Sequence, residues 1–151
     1  MNENRQHTDQ RKLTLLSEFK NFYRDGHKTD LERLDRIYTQ DIEFRDPVHS
    51  ILGILALKSY IKGLYANSER IEFEYTDDVS NDNCASINWL MHFQHASIAK
   101  GKPISLRGST FIRFTDRIYY QEDFYDLGAM VYQHIPVLGR LVRFVKNRLR
   151  S

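Results

Sequence analysis

The spacing of hydrophobic residues predicts three helices in the first half of the chain. Apolar residues at three- and four-residue intervals indicate an amphipathic first helix that ends near Gly26, and they are Leu13, Leu16, Phe19, Phe22 and Tyr23. Thr29 followed by Glu32 is a capping-box pattern, which predicts a short second helix. A third stripe after Gly53 predicts another helix and consists of Leu57, Tyr60, Ile61 and Leu64.

The polar and apolar residues of the second half alternate with a period of two, which predicts β-strands. Before the third helix, residues 42–47 predict one short strand, which Pro47 ends because proline cannot donate a ladder hydrogen bond. From about Arg70 onward, strands are predicted around 71–75, 87–94, 103–115 and 118–125. This order predicts an α+β fold in which helices pack on one side of a curved antiparallel sheet. The hollow between the two layers is a natural place for a ligand.

Composition favours a single globular domain in a reducing compartment. The chain has 151 residues, of which 41% are hydrophobic, a size that buries a real core. No apolar run is long enough to cross a bilayer, and residues 1–12 are polar and lack the apolar centre of a signal peptide. Cys84 is alone, so a reducing cytoplasm is expected. We expect a polar extension at 1–12, a domain at 13–136 and a tail at 137–151.

The tail at 137–151 differs in charge from the rest of the chain. It contains five cations and no acid, whereas the whole chain carries a net charge of only +2. Its apolar residues fall on one face of a helix and its cations mostly on the other. A basic amphipathic helix suits an anionic membrane surface, a partner's groove, or packing on its own domain or across a dimer. The sequence leaves these alternatives open.

Two segments of the chain resemble a known family. Residues 42–49, followed by Gly53 and the third helix, look like the first-strand signature of SnoaL-like domains of the nuclear-transport-factor-two-like superfamily. Residues 111–114 and 122–126 look like the last two strands of that family. The resemblance covers about residues 12–130. It implies a cone-shaped sheet with three helices on its concave face, and a homodimer.

That superfamily includes enzymes and binding proteins, so the resemblance alone does not choose a function. Its members include ketosteroid isomerases, polyketide cyclases, dehydratases and non-catalytic modules. The general-base aspartate of ketosteroid isomerases matches Asp46. A carboxylate at the floor of a pocket is suited to moving a proton next to a carbonyl group. The alternative is that Asp46 stabilises its loop by accepting backbone N–H bonds, as aspartate before proline often does.

The resemblance to ketosteroid isomerase fails at its oxyanion hole. The tyrosine of that site falls at or near Phe22, and its protonated acid falls at Thr110. Phe22 cannot donate a hydrogen bond, although the neighbouring Tyr23 can if the register differs by one residue. Each missing donor would cost about 2.7–4 kcal/mol of transition-state stabilisation. Steroid isomerisation is therefore disfavoured.

The last strand offers a second candidate acid. Polyketide cyclases of the SnoaL type are similar in carrying an acid there, and strand alternation puts Gln121, Asp123 and Tyr125 on one face. If that face lines the hollow, Asp123 faces Asp46, and one acid can act as a base while the other stays protonated. The alternative is that Asp123 pairs with Arg107 or Arg113 on the adjacent strand.

Four histidines are candidate acid–base groups or ligands: His49, His92, His95 and His134. His49 is the best of them because it lies three residues beyond Asp46, where it can orient that carboxylate or bind a polar group. His92 and His95 have opposite strand parity, so at most one of them points inward. No zinc-type spacing is present, and we expect no metal.

Large side chains on the predicted strands and third helix would line the hollow, and they are Tyr60, Tyr65, Trp89, Met91 and Tyr125. The simpler interpretation is that most of them are core. No glycine-rich phosphate loop occurs, so no cofactor is predicted. No nucleic-acid-reading motif occurs either.

These observations leave three hypotheses. The first is a cofactor-independent isomerase, cyclase or dehydratase that moves a proton on a small, apolar carbonyl or polyketide-like compound. Its catalytic residues would be Asp46, Asp123 and His49. The second is a non-catalytic module that holds a small hydrophobic molecule or a protein. The third is a peripheral protein whose tail at 137–151 binds a membrane.

Overall fold

The first hydrophobic stripe forms a long helix, α1 (Asn2–Asp25), which begins well before the predicted start at Leu13. It ends beside Gly26, as predicted, and Gly26 adopts a φ of +56° that glycine tolerates best. The computed structural model describes residues 2–28, 30–130 and 147–148, and the side chains among them except those of 2–8 and 27. The predicted helix at 137–151 therefore lies almost wholly outside the described residues.

The second helix is shorter than predicted and has a different cap. A single 3₁₀ turn at Leu31–Arg33 leads into α2 (Leu34–Ile37). The Asp30 carboxylate accepts a hydrogen bond from the backbone N–H of Glu32 at 3.0 Å. Asp30 thus satisfies a free N–H at the start of the turn. Thr29, the predicted cap, lies outside the described residues.

The strand before the third helix is longer than the sequence pattern predicts, and a further strand follows it. β1 (Tyr38–Arg45) ends immediately before Asp46, and β2 (Ser50–Leu52) turns back to pair with it. Gly53 follows with a φ of +89°, which lets the chain turn sharply into α3 (Ile54–Ala66). Helix α3 confirms the third predicted helix, and its buried residues include Leu57 and Ile61.

The second half forms the predicted meander. Its strands are β3 (Arg70–Ser80), β4 (Cys84–Gln94), β5 (Ile104–Phe114) and β6 (Ile118–Tyr125), and a short helix α4 (Leu127–Met130) follows. The six strands form one curved, open sheet in the order β2-β1-β6-β5-β4-β3. The α+β prediction is confirmed. The antiparallel expectation needs one correction, because β1 and β6 are parallel.

This parallel pair brings the two candidate acids together. In its register Phe44 pairs with Gln121 and Arg45 pairs with Glu122. The next residues along the two strands are Asp46 and Asp123, which therefore reach the same end of the sheet at the same level. The sequence alone could not show this, since the two strands are far apart along the chain and a parallel pair requires a long crossover.

The core has two parts between the helices and the inner face of the sheet. The larger part packs α1, α2 and α3 against β1, β4, β5 and β6, and its fully buried residues include Phe22, Tyr38 and Leu57. The smaller part lies around Trp89 and Met91 on β4. Among the described residues, no helix is long and apolar enough to cross a membrane. The predicted homodimer and the predicted membrane contact of the tail both stay predictions.

Candidate functional site

A small cavity lies beside the second part of the core. Its volume is about 60 Å³, and its eleven lining residues are Asp46, Tyr60, Leu64, Ile71, Phe73, Trp89, Met91, Phe93, Asp123, Tyr125 and Met130. Two larger grooves, of about 410 and 540 Å³, run along the surface beside α1 and have mainly charged and polar residues on their walls. Unlike these two grooves, the small cavity combines an apolar, aromatic wall with acidic side chains, which is the usual character of a small-molecule site.

Asp46 is held by the turn that follows β1. Its Oδ1 accepts hydrogen bonds from the backbone N–H groups of Val48 at 2.7 Å and His49 at 2.6 Å. Its Oδ2 accepts the Tyr60 hydroxyl at 2.8 Å, and the His49 ring nitrogen Nδ1 lies 3.0 Å from Oδ1. The side chain is only 2% exposed. The loop-stabilising role weighed from the sequence is therefore present, together with a position on the cavity wall.

Asp123 lies on the cavity wall in a different environment. Its Oδ1 accepts hydrogen bonds from the Thr110 hydroxyl at 2.7 Å and from the Gln121 side-chain amide at 3.0 Å. Its Oδ2 has no hydrogen-bond donor among the residues that the structure describes. The predicted alternative, an ion pair with Arg107 or Arg113, is wrong, because the residue opposite Asp123 on β5 is Thr110. Arg113 instead lies over the rings of outward-facing aromatic residues.

The hydrogen bonds of Asp123 continue into the core in two directions. On one side the Trp89 indole N–H donates to the Thr110 hydroxyl at 3.0 Å. On the other side the Gln121 side-chain oxygen accepts the Tyr38 hydroxyl at 2.5 Å, and the Tyr23 and Tyr38 hydroxyls lie 2.8 Å apart. Thr110 and Gln121, which bind the Asp123 carboxyl group, are therefore themselves fixed by hydrogen bonds from Trp89 and Tyr38, and this network fixes the position of the carboxyl group.

Burial changes the acidity of Asp123. Desolvation raises its pKa from 3.8 to about 6, since a buried carboxyl loses the water that stabilises its charge. The bonds from Thr110 and Gln121 oppose this shift in pKa, and the nearby charge of Asp46 adds to it. Within one cavity, the structure thus places a carboxylate saturated with donors next to a carboxyl group that exchanges its proton near neutral pH.

A second, smaller cavity lies on the inner side of Asp123. It has a volume of about 20 Å³ and is lined by Phe19, Tyr23, Phe73, Tyr75, Trp89, Thr110, Gln121 and Asp123. Three residues, Phe73, Trp89 and Asp123, belong to the walls of both cavities. The inner space is large enough for about one water molecule.

The three residues that correspond to the oxyanion hole of ketosteroid isomerase, Phe22, Tyr23 and Thr110, lie in different surroundings. Phe22 is fully buried in the larger part of the core and lines neither cavity. Its neighbour Tyr23 is the residue that joins the polar chain leading to Asp123. Thr110 is buried, and its hydroxyl group already donates to Asp123, so it positions that acid.

Most of the predicted aromatic wall is in place. Tyr60, Trp89, Met91 and Tyr125 line the main cavity, whereas Tyr65 packs against both parts of the core. Sequence reasoning missed several wall residues: Leu64, Ile71, Phe73, Phe93 and Met130. Strand parity could have identified Ile71, Phe73 and Phe93, because they alternate with outward-facing residues. Sequence reasoning also missed Tyr38, because Tyr38 precedes residue 42, the predicted start of this strand.

The candidate histidines that the structure describes, His49, His92 and His95, are not among the residues of the main cavity wall. His49 contacts Asp46 and the Tyr60 ring, and nearly half of its side chain is exposed. His92 faces the other side of the sheet, where its two ring nitrogens contact Ser105 and Glu74. The His95 ring stacks on Phe93, and His134 lies outside the described residues. The described part of the chain contains no group of three or more metal-ligating side chains.

The arrangement provides the parts needed for proton transfer on a small ligand. Asp123 supplies an exchangeable proton near neutral pH. Tyr125 supplies a hydroxyl group that makes no hydrogen bond within the described segments, and burial raises the pKa of this hydroxyl well above 10. A phenol that keeps its proton is a hydrogen-bond donor, and such a donor stabilises negative charge that develops on a ligand oxygen.

Comparison with protein families gives one match. A model described as a SnoaL-like domain matches residues 19–120, which is more than half of the chain. The matched region contains the last seven residues of α1, Asp46, and the strand residues of both cavities up to Tyr120, and it stops before Asp123. No curated protein matches the chain.

Comparison with solved structures gives the same fold. An NTF2-like protein of unknown function from Exiguobacterium sp. 255-15 is 18% identical, with a TM-score of 0.62 over 75% of this chain and 98% of that one. A protein with a ketosteroid-isomerase-like fold from Catenulispora acidiphila, solved with trimethylamine, is 14% identical, with a TM-score of 0.65 over 76% and 89%. A protein from Jannaschia sp. CCS1 described as a SnoaL-like polyketide cyclase is 12% identical, with a TM-score of 0.66 over 77% and 90%.

Proposed function

The chain belongs to the SnoaL-like domain family, and we propose that it binds a small, mostly apolar carbonyl compound and moves a proton on it. This is the chemistry of isomerases, cyclases and dehydratases that work without a cofactor. The observation that carries the proposal is the position of Asp123, a desolvated carboxyl group on the wall of an aromatic cavity with one oxygen free of described donors.

The acidity of Asp123 supports its assignment as the group that exchanges the proton. General acid–base catalysis is most efficient when the pKa of the catalytic group lies near the working pH. With a pKa raised to about 6, Asp123 is mostly ionised at neutral pH and is a stronger base than an ordinary aspartate. After it takes a proton from carbon, it can return that proton to a neighbouring atom.

Asp46 supports the same chemistry in a different way. Its carboxylate accepts three hydrogen bonds, from the Val48 and His49 backbone N–H groups and the Tyr60 hydroxyl, and the His49 ring nitrogen lies 3.0 Å away, so it is poorly placed to accept a substrate proton. Its charge lies close enough to raise the pKa of Asp123. We therefore assign the base role to Asp123. A direct base role for Asp46, which the resemblance to ketosteroid isomerase implies, stays a prediction.

The carbonyl group of the substrate would be oriented by Tyr125. A hydroxyl group that donates to the carbonyl oxygen stabilises the enolate formed when the adjacent carbon loses its proton. Tyr60 is less suited to this role, because its hydroxyl proton already goes to Asp46.

The cavity volume limits the substrate. A space of about 60 Å³ holds roughly four water molecules, at about 10–15 Å³ for each. Drug-sized ligands occupy pockets of about 300–1,000 Å³. A ligand of a few non-hydrogen atoms fits the described cavity, whereas a polycyclic compound requires wall residues such as Met91 to move.

Solvent deuterium exchange tests the proposal. The protein is incubated in D₂O with acetone or butanone, and loss of the α-proton NMR signal is followed. We expect deuterium exchange to be faster with the protein than in buffer. Asp123→Asn should lower the protein-catalysed exchange rate by about 10²–10⁴-fold. Glu122→Gln is the matched control, because Glu122 is the adjacent acid on the opposite face of β6. Equal rates for the native chain and Asp123→Asn would refute the acid–base proposal.

A non-catalytic binding role is the second candidate, and the saturated hydrogen bonding of Asp46 favours it. If the ketones shift the NMR signal of the Trp89 indole N–H but their exchange stays at the buffer rate, the cavity binds without catalysis. The chain contains a single tryptophan, so its one indole signal reports directly on this wall.

A further inference from the structure

The walls of the main cavity combine negative charge with aromatic rings. Two of the eleven lining residues are acids, Asp46 and Asp123, and five carry aromatic rings: Tyr60, Phe73, Trp89, Phe93 and Tyr125. The other lining residues are aliphatic or methionine, and no lysine, arginine or histidine is among these eleven. The described walls therefore combine negative charge with aromatic rings, and they include no cationic side chain from the part of the chain that the structure describes.

The rings form adjacent walls that are inclined to one another. The rings of Phe73 and Trp89 are nearly perpendicular, at 83°, with centroids 5.3 Å apart. The Tyr125 ring is tilted by 52° to Trp89 at 6.4 Å. Several aromatic rings around one small space are the kind of lining by which aromatic cages hold alkylammonium groups.

Aromatic rings elsewhere in this chain already have cations. Lys20 and Arg24 lie 6.0 and 5.5 Å from the Tyr75 ring centroid, and Arg33 lies 5.9 Å from that of Phe22. Neither Tyr75 nor Phe22 lines the main cavity. No such contact between a cation and a ring of this cavity occurs among the described residues.

We propose that the small molecule held in this cavity carries an alkylammonium group, which lies between the rings of Phe73, Trp89 and Tyr125 and beside the Asp123 carboxylate. The inference rests on the function proposed above, because it takes the cavity as the ligand site, and it adds the charge of the ligand. The substrate class becomes a short amino-carbonyl compound.

The electrostatics of the site agree with a cationic ligand. Burial and the charge of Asp46 both raise the pKa of Asp123, which means that the bonds from Thr110 and Gln121 compensate its ionised form only in part. A cation beside Asp123 would supply that compensation, and the attraction is stronger in a desolvated site than in water. An anion of the same size would meet two acids and no basic group among the eleven described wall residues.

The test compares two probes of nearly equal size and shape that differ in charge, tetramethylammonium and tert-butanol. Each probe is titrated into the full chain, and the NMR signal of the Trp89 indole N–H and the Trp89 fluorescence are followed. Sodium chloride is adjusted so that the ionic strength stays constant. We expect tetramethylammonium to bind about tenfold more tightly than tert-butanol, which corresponds to typical cation–π energies in desolvated sites.

Variants separate a specific contact from a general charge effect. Asp123→Asn should lower tetramethylammonium affinity about tenfold and change tert-butanol affinity less than about twofold. Asp82→Asn is the matched control, because it removes the same charge from the exposed turn at the other end of β3 and β4 and should leave both affinities unchanged. Circular dichroism and unfolding curves of both variants show whether they fold like the native chain.

Acetone serves as the third probe and distinguishes this inference from the proposed function. If acetone and tert-butanol bind as tightly as tetramethylammonium, the cation inference is wrong and the small-molecule function stands. If acetone binds and tetramethylammonium does not, the same conclusion follows. If none of the probes shifts the Trp89 signals, both proposals fail. A tenfold preference that Asp82→Asn removes as fully as Asp123→Asn would also refute the inference.

Discussion

The two acids of the cavity reach the same end of the sheet but have opposite environments. Asp46 begins a turn, and the backbone N–H groups of that turn point at its carboxylate. Asp123 lies inside a strand, where the backbone N–H groups are used by the neighbouring strands and only side chains remain as partners. A turn can saturate a carboxylate locally, whereas a strand leaves it dependent on distant residues.

This difference assigns different tasks to residues of the same type. A saturated carboxylate stabilises its loop and provides a fixed negative charge. A desolvated one with a free oxygen can exchange a proton. Pairs of acids whose surroundings make one of them exchange a proton more readily than the other are typical of acid–base sites. The following predictions test this contrast.

The largest expected effect on stability concerns the pH dependence that Asp123 causes. Its pKa is about 6 in the folded chain and 3.8 in the unfolded chain, so the folded state binds this proton more tightly. The resulting stabilisation is complete below about pH 4 and is lost as the pH rises through about 6. Between these limits the free energy of unfolding should fall by about 3 kcal/mol because of this group.

Urea unfolding at a series of pH values measures this effect. Asp123→Asn keeps an oxygen for Thr110 and Gln121 but cannot ionise, so its free energy of unfolding should fall less over this range than that of the native chain. Asp82→Asn, in an exposed turn, should keep the native profile. A parallel profile for the native chain and Asp123→Asn would mean that Asp123 is not desolvated.

The next effect concerns Gly108, which lies against the Trp89 ring of the cavity wall. An added Cβ at Gly108 would overlap the Trp89 ring and would lie 2.7 Å from the backbone oxygen of Phe124. Gly108→Ala should therefore lower the free energy of unfolding by about 2 kcal/mol and shift the Trp89 indole signal. Gly63→Ala is the control, since nothing lies within 4 Å of its added Cβ, and alanine in a helix should stabilise by up to about 1 kcal/mol. Equal stabilities of these two variants would contradict the described packing.

A similar effect is expected on the Asp46 side. Tyr60→Phe removes the hydroxyl group that donates to Asp46 Oδ2 at 2.8 Å. Hydrogen bonds to charged groups contribute about 1.5–3 kcal/mol, and Tyr60→Phe should lose roughly the lower value because the two backbone N–H donors remain. Tyr119→Phe, at an exposed tyrosine, is the control. We expect the proton exchange rate to fall much less than in Asp123→Asn; an equal fall would move the catalytic role toward Asp46.

The smallest effect is expected at His49. Its ring contacts Asp46 but is nearly half exposed, so its loss should change the free energy of unfolding by about 0.5 kcal/mol. His49→Ala keeps the backbone N–H that donates to Asp46 Oδ1. Ketone exchange measured at pH 7 should stay close to the native rate. A loss comparable to that of Asp123→Asn would place His49 in the acid–base chemistry.

Much of the fold could be predicted from the sequence because its signals are local. The helical stripe of α3 and the alternation along β4 and β6 depend on neighbouring residues only, and the structure confirms these elements. The strand β2 was missed because three residues are too few to show a period. The cap of the second helix was placed at Thr29 because the capping-box pattern fits it, although the neighbouring Asp30 makes the described hydrogen bond.

The amino-acid sequence by itself determined that Asp46 ends a strand at a proline and that Asp123 shares a strand face with Gln121 and Tyr125. These properties follow from backbone geometry within a few residues. Only the tertiary structure decided that the two acids share a cavity, because this depends on the parallel register of β1 and β6. The tertiary structure also decided the hydrogen-bond partners of Asp123, because the Tyr38 hydroxyl reaches Gln121 only when distant parts of the chain come together. It decided the pKa of Asp123 as well, because burial raises that pKa.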